Sequence, residues 1–129
     1  MPHGIVDLHW QENALLITAH GPFNYDGITR AFEQIKSAVA KIDYVPWVRV
    51  DILDNETLGC PEVMKVIGDS YKWACQNNCY EVVVFCSNRL QETMLNEFTS
   101  YTKLNIRAFT DRNLALSYVD KIAKVLKQN

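Results

Sequence analysis

Three groupings in this 129-residue sequence have side chains of the type and spacing that chemistry needs. Cys60 stands immediately before Pro61, a residue favoured in the first turn of a helix. A thiol at a helix N-terminus can be a nucleophile or a redox sensor when its pKa is depressed, but Glu56 and Glu62 oppose the thiolate and no histidine neighbours it in sequence. Packing beneath a loop is therefore the favoured role for Cys60. His20, Asp51 and Asp54 would make an acid/base group if they met at a pocket mouth. Against that, Arg49 and Asp51 alternate with Val48, Val50 and Ile52, so both face one side of a strand and a mutual ion pair is the simpler expectation. Cys75 and Cys79 share a helix face at spacing four, but paired CxxC spacing is absent. With no GxSxG, phosphate loop or HExxH pattern either, the sequence predicts no catalytic residue, no metal site and no cofactor.

The elements that position these residues read off the hydrophobic pattern. Ile5 to Trp10 alternates with period two and Ala14 to His20 is more apolar, so the two pair as antiparallel strands across a short polar turn. Asn24 is an N-cap for a helix carrying Ile28, Ala31, Phe32, Ile35, Ala38, Val39 and Ile42. Pro46 ends that helix, and Trp47 to Leu53 is the third strand. Pro61 opens a helix running to about Asn78, and Tyr80 to Cys86 is the most continuous apolar strand, placed centrally and covered on both faces. Asn88 with Gln91 forms a capping-box pattern for a helix through about Tyr101. Asn105 to Thr110 is the last strand, followed by a helix capped by Asp111. The order ββαβαβαβα predicts an α/β fold: a mostly parallel five-stranded sheet, an antiparallel first strand near an edge, and four helices.

Composition bounds the function. A chain 48% hydrophobic and 22% charged suits one globular domain over residues 1–129, and its net charge of −2 offers no general attraction for nucleic acid. The charge is uneven: residues 1–64 hold four bases against nine acids, residues 65–129 nine bases against six acids, which makes charge-assisted self-association conceivable. Apolar runs such as Ala14 to Ala19 fall far short of the ~20 residues of a membrane span, so no stable membrane insertion is expected. The N-terminus, with Asp7 and Glu12, does not read as a signal peptide, and four cysteines in such a chain are expected as free thiols in the cytoplasm.

This order of elements resembles the SpoIIAA-like group of STAS domains, related to bacterial anti-sigma-factor antagonists. The residues that carry the resemblance are His20-Gly21-Pro22-Phe23 after the second strand, Val50-Asp51-Ile52 in the third, and Arg107-Ala108-Phe109-Thr110-Asp111 leading into Ala115-Leu116-Ser117-Tyr118-Val119. The resemblance spans nearly the whole chain and rests on order and spacing. It implies a STAS-type fold, a non-enzymatic regulatory or ligand-binding role, and a likeness to CRAL-TRIO lipid carriers. Antagonists of this kind carry a phosphorylated Ser at the start of the second helix. Here that region reads Thr57-Leu58-Gly59-Cys60-Pro61, so the acceptor is missing unless Thr57 substitutes.

Ligands meet open parallel sheets at the carboxyl ends of the strands. The loop candidates for a ligand or partner are accordingly His20, Phe23, Asp54, Glu56, Thr57, Leu58, Cys60, Ser87 and Arg89. On a helical wheel the second helix turns Ile67, Tyr71 and Ala74 to the core, and Val66 and Trp73 fall nearly opposite, as a surface for a protein partner or a second copy. Two functions follow: a regulatory module that binds a protein, or a small carrier of an apolar ligand held between helices and sheet near Phe23, Leu58, Met64 and Met94.

Overall fold

The computed structural model describes residues 1–43, 45–57 and 60–128. Its elements are β1 (Ile5–Gln11), β2 (Ala14–His20), α1 (Tyr25–Ala40), β3 (Trp47–Leu53), α2 (Pro61–Gln76), β4 (Cys79–Phe85), α3 (Arg89–Tyr101), β5 (Ile106–Phe109) and α4 (Arg112–Lys127). The order ββαβαβαβα is the one the hydrophobic pattern predicts. β1 pairs antiparallel with β2 across a tight turn in which Glu12 adopts φ 55°, and β2 to β5 pair in parallel. The sheet runs β1-β2-β3-β4-β5, with the antiparallel strand at the edge. The middle strand is thus β3, where the sequence pointed to β4; β4 lies between β3 and β5 and is still covered on both sides.

Because each parallel crossover steps one strand in the same direction, right-handedness puts α1, α2 and α3 on one face. Leu15, Ile17, Trp47, Val82 and Val84 meet those helices through Ile35, Tyr71, Ala74 and Leu95. Only α4 returns to the other face, where Ala115 and Val119 cover Ala14, Val48, Val50, Ile52 and Val83. A register shift at the start of the β3–β4 pair sets Cys79 opposite Trp47 but Glu81 opposite Val48, which turns Glu81 toward α4.

The caps form at the predicted residues. Gly27 N donates to Asn24 Oδ1 at 2.8 Å, Gln91 N to Asn88 Oδ1 at 2.9 Å, and Asn113 N and Leu114 N to Asp111 Oδ1. The capping box is shifted by one residue, since Gln91 Oε1 accepts from Ser87 N at 2.8 Å instead of from Asn88.

Candidate functional site

The loops at the carboxyl end of the sheet do converge, and Asp54 is their centre. Its carboxylate accepts from Gly21 N at 3.2 Å, Glu56 N at 3.0 Å and Thr57 Oγ1 at 2.5 Å, while its own carbonyl accepts from Gln91 Nε2 at 2.7 Å. Burial raises the carboxyl's pKa, but the Thr57 hydroxyl, the two backbone N–H groups and nearby His20 outweigh it and hold Asp54 below its ordinary value. Gly21 permits this junction. A Cβ there would stand 2.3 Å from the Glu56 carbonyl oxygen, so only glycine lets the two loops lie this close. Ser87 Oγ donates to Leu53 O at 2.5 Å and Asn88 Nδ2 to Asn55 O at 3.3 Å, which ties the third loop to the second. These polar groups satisfy one another, so the cluster is a brace between loops.

The remaining loop candidates scatter around this brace. His20 is exposed, with Nε2 3.2 Å from Asp7 Oδ2 on β1. Glu56, Cys60 and Arg89 are exposed, Cys60 occupying the N-cap of α2 without a side-chain cap bond. Leu58 lies outside the described residues. His20, Asp51 and Asp54 do not form an acid/base group, because each is engaged by different partners.

Beneath α1, α2 and α3 lies a cavity of about 240 Å³. Its wall is mostly apolar and includes Phe23, Phe32, Met64, Met94, Leu95 and Phe98. It reaches the surface beside α3, where exposed Glu97 and Tyr101 belong to the wall. On the sheet side the wall contains Arg49 and Asp51, only 3% and 5% exposed. Arg49 Nε donates to Asp51 Oδ1 at 2.8 Å and Nη2 to Oδ2 at 3.0 Å, a bidentate pair, and Nη1 donates to Ser70 Oγ at 3.0 Å. The guanidinium also lies over the Tyr71 ring, 4.7 Å from its centroid. Burial alone would lower the Arg49 pKa; the adjacent Asp51 carboxylate more than offsets that and holds it above its ordinary value. Burial, reinforced by Asp51, pushes the Tyr71 phenol far up, so it stays protonated. The ion pair expected from alternation along β3 is therefore present, and it faces a cavity.

No protein-family model and no curated protein matches the chain. A solved structure does. An uncharacterised protein of the DUF3478 family from Shewanella loihica PV-4, described as having a SpoIIAA-like fold, superposes with a TM-score of 0.59 over 92% of this chain and 95% of its own, at 16% identity. The fold is SpoIIAA-like.

Two expectations about that fold's surface change. Val66 and Trp73 are half-buried, Val66 against the cluster of Phe23, Ile28, Ala31 and Val63, and Trp73 edge-on to Phe32 of α1 with centroids 6.0 Å apart. The wheel assigned α2 a single covered side, whereas α2 packs against both the sheet and α1, so these two residues form no unpartnered face. Thr57, the stand-in for a phosphoacceptor, is buried with its hydroxyl donated to Asp54.

Sequence reasoning placed an apolar ligand near Phe23, Met64 and Met94, which do line the cavity, but it missed the cavity's extent and its polar wall of Ser70 and Tyr71. The available signals were the concentration of methionine and phenylalanine on α1 to α3 and Gly68 in mid-helix. A Cβ on Gly68 would sit 2.8 Å from the Phe98 ring, so glycine gives that ring its seat between α2 and α3. All three histidines are exposed and none lines the cavity. Burial raises the Cys79 thiol to about 12 and the Cys86 thiol to about 11, which keeps both unreactive. Among the described residues no cluster of three metal-ligating side chains occurs, and no helix is long and apolar enough to cross a membrane.

Proposed function

We propose that this SpoIIAA-like chain is a non-enzymatic binding module that holds a small, largely apolar molecule in the cavity under α1, α2 and α3. The observation that carries this reading is the cavity itself. Its about 240 Å³ exceeds the roughly 150 Å³ that suffices to bind benzene in an engineered protein core, and Phe23, Met64 and Met94, the residues expected of a carrier, line it. A non-catalytic role is supported by how the reactive groups are spent: Arg49 on Asp51, Thr57 on Asp54, and the buried thiols on packing. Free cysteines throughout the described residues fit a cytoplasmic setting.

A protein-binding, regulatory role is the second reading, and one observation favours it. Tyr25, Leu90 and Leu114 are all more than half exposed, and each lies in the first turn of a helix that begins at the carboxyl end of the sheet. That end, with Glu56, Cys60 and Arg89, is where a partner or a second copy would dock. A phospho-switch at Thr57 forms no part of it, since modification would first require the Asp54 brace to open.

Native mass spectrometry of the purified protein separates the two. A monomer that retains an additional small apolar mass, lost on collisional activation, is the expected result. A ligand-free dimer at micromolar concentration would favour the docking role instead.

A further inference from the structure

The chemistry of the cavity wall specifies its occupant further, and this step rests on the carrier reading above. Of the residues that line the cavity, Arg49, Asp51 and Glu97 are charged, and only Arg49 and Asp51 are buried. These two neutralise each other through two hydrogen bonds, so the buried wall has no net charge. Other polar groups there are already committed. Ser70 Oγ accepts from Arg49 and donates to Ile67 O at 2.7 Å, the Thr57 hydroxyl is given to Asp54, and Gln91 uses its oxygen on Ser87 N and its nitrogen on Asp54 O.

What remains is small and two-sided. Of the five guanidinium N–H bonds, three are used, leaving one on each terminal nitrogen without a partner among the described residues. The Asp51 oxygens each accept one bond from Arg49, and the Tyr71 hydroxyl also lies within hydrogen-bonding reach of this carboxylate, which still keeps a spare lone pair. Donor and acceptor capacity therefore sit side by side, inside an apolar enclosure.

We propose that the cavity selects a neutral molecule, somewhat larger than benzene, whose single polar head both accepts and donates a hydrogen bond, as a hydroxyl or a primary amide does. A carboxylate head would gain from Arg49 only what it loses beside Asp51, and would surrender its hydration without a countercharge. An ammonium head meets the same cancellation with the signs exchanged. An all-hydrocarbon molecule would enter, but would leave the spare Arg49 donors unpaired.

The test is calorimetric titration of the whole protein with one skeleton carrying three heads: 3-phenylpropanol, 3-phenylpropanoate and 3-phenylpropylammonium. The alcohol is expected to bind at least about tenfold more tightly than either ion, the penalty for burying an uncompensated charge. If none of the three binds, the carrier reading itself falls. If the alcohol binds but the carboxylate or the ammonium binds as tightly, the carrier reading stands and the neutral-head inference falls. Arg49→Met combined with Asp51→Leu replaces the pair by apolar groups and keeps the core filled, which circular dichroism checks. In that folded variant the alcohol should lose its advantage over propylbenzene; an undiminished advantage would place the selective group elsewhere and overturn the proposal.

Discussion

Asp51 and Glu81 are both carboxylates on interior strands, each at most 5% exposed, one on each face of the sheet. Asp51 faces α1 to α3 and is matched by Arg49, itself buried, at the wall of a cavity. Glu81 faces α4, where the Tyr118 hydroxyl donates to it and Arg107 approaches at 3.4 Å from a side chain 53% exposed. The α4 face has a neutral donor and a cation that keeps contact with water, so its acid never depends on a buried countercharge. On the cavity face Ser70 and Tyr71 assist the pair, but among the described residues each charge has the other as its only countercharge. An arginine cannot shed its proton, so Arg49 stays ionic whatever happens to Asp51. An isolated pair of this kind is weak as a source of stability and intolerant of change. It is, however, a polar, charge-neutral surface placed against an apolar space, which is useful for recognition.

The largest consequence concerns the partner left behind. Asp51→Asn strands the Arg49 cation in the interior and should destabilise the protein by about 3–5 kcal/mol. Glu81→Gln keeps an oxygen for Tyr118 and releases Arg107 to solvent, so its cost should be nearer ~1 kcal/mol. Urea unfolding of both variants reads the difference directly. Equal losses would mean that Arg107 and Tyr118 are as indispensable to Glu81 as Arg49 is to Asp51, and the contrast between the faces would be gone.

Much of this was legible in the sequence. The period of two along β3 placed Arg49 and Asp51 on one side, because alternation is a property of any extended strand, wherever it pairs. The caps at Asn24, Asn88 and Asp111 were legible for the same reason, being local chemistry within one turn. Val66 and Trp73 failed because a wheel shows one helix and not its neighbours, and α2 has neighbours on two sides. The turning of Glu81 toward α4 was hidden too: the register shift at the start of β4 changes which residues face which layer, and alternation read from one strand carries no trace of it. Phe23, Met64 and Met94 pointed to an apolar ligand site, but the extent and polar wall of the cavity were least accessible, since it exists only where three helices fail to meet completely, a relation between elements far apart in the chain.

The faces should also differ in how they accept added volume. Ala115 is buried against β3 and β4 under α4, and Ala115→Leu there should cost about 1–3 kcal/mol by overpacking. Gly68→Ala adds a methyl against Phe98 on the cavity face, where the ring has space to move into. The gain of about 1 kcal/mol in helix propensity should roughly cancel the displacement, leaving stability within ~1 kcal/mol of the parent. Thermal melts of the pair decide it: a loss for Gly68→Ala as large as that for Ala115→Leu would show that the Phe98 seat is as tightly packed as the α4 interface.

The smallest expected effect belongs to the brace that joins the loops at the carboxyl end of the sheet. Asp54 is half-buried, and although burial raises its pKa, the bonds from Thr57, Gly21 and Glu56 bring the folded value below the ordinary one. A carboxyl depressed in the folded state stabilises fully above its unfolded pKa and loses that contribution as pH falls through the lower, folded value. The loss is therefore confined to the acid range, below about pH 4. Asp54→Asn removes the titration, and an amide nitrogen in the place of Oδ2 would face the Gly21 N–H donor to donor. The variant should be modestly less stable than the parent at neutral pH, and the gap should close as the pH falls below about 4 and the parent's carboxyl takes its proton. Urea midpoints across that range provide the measurement. A gap that is constant with pH would mean that Asp54 holds the loops by shape alone, and that its charge contributes nothing to the brace.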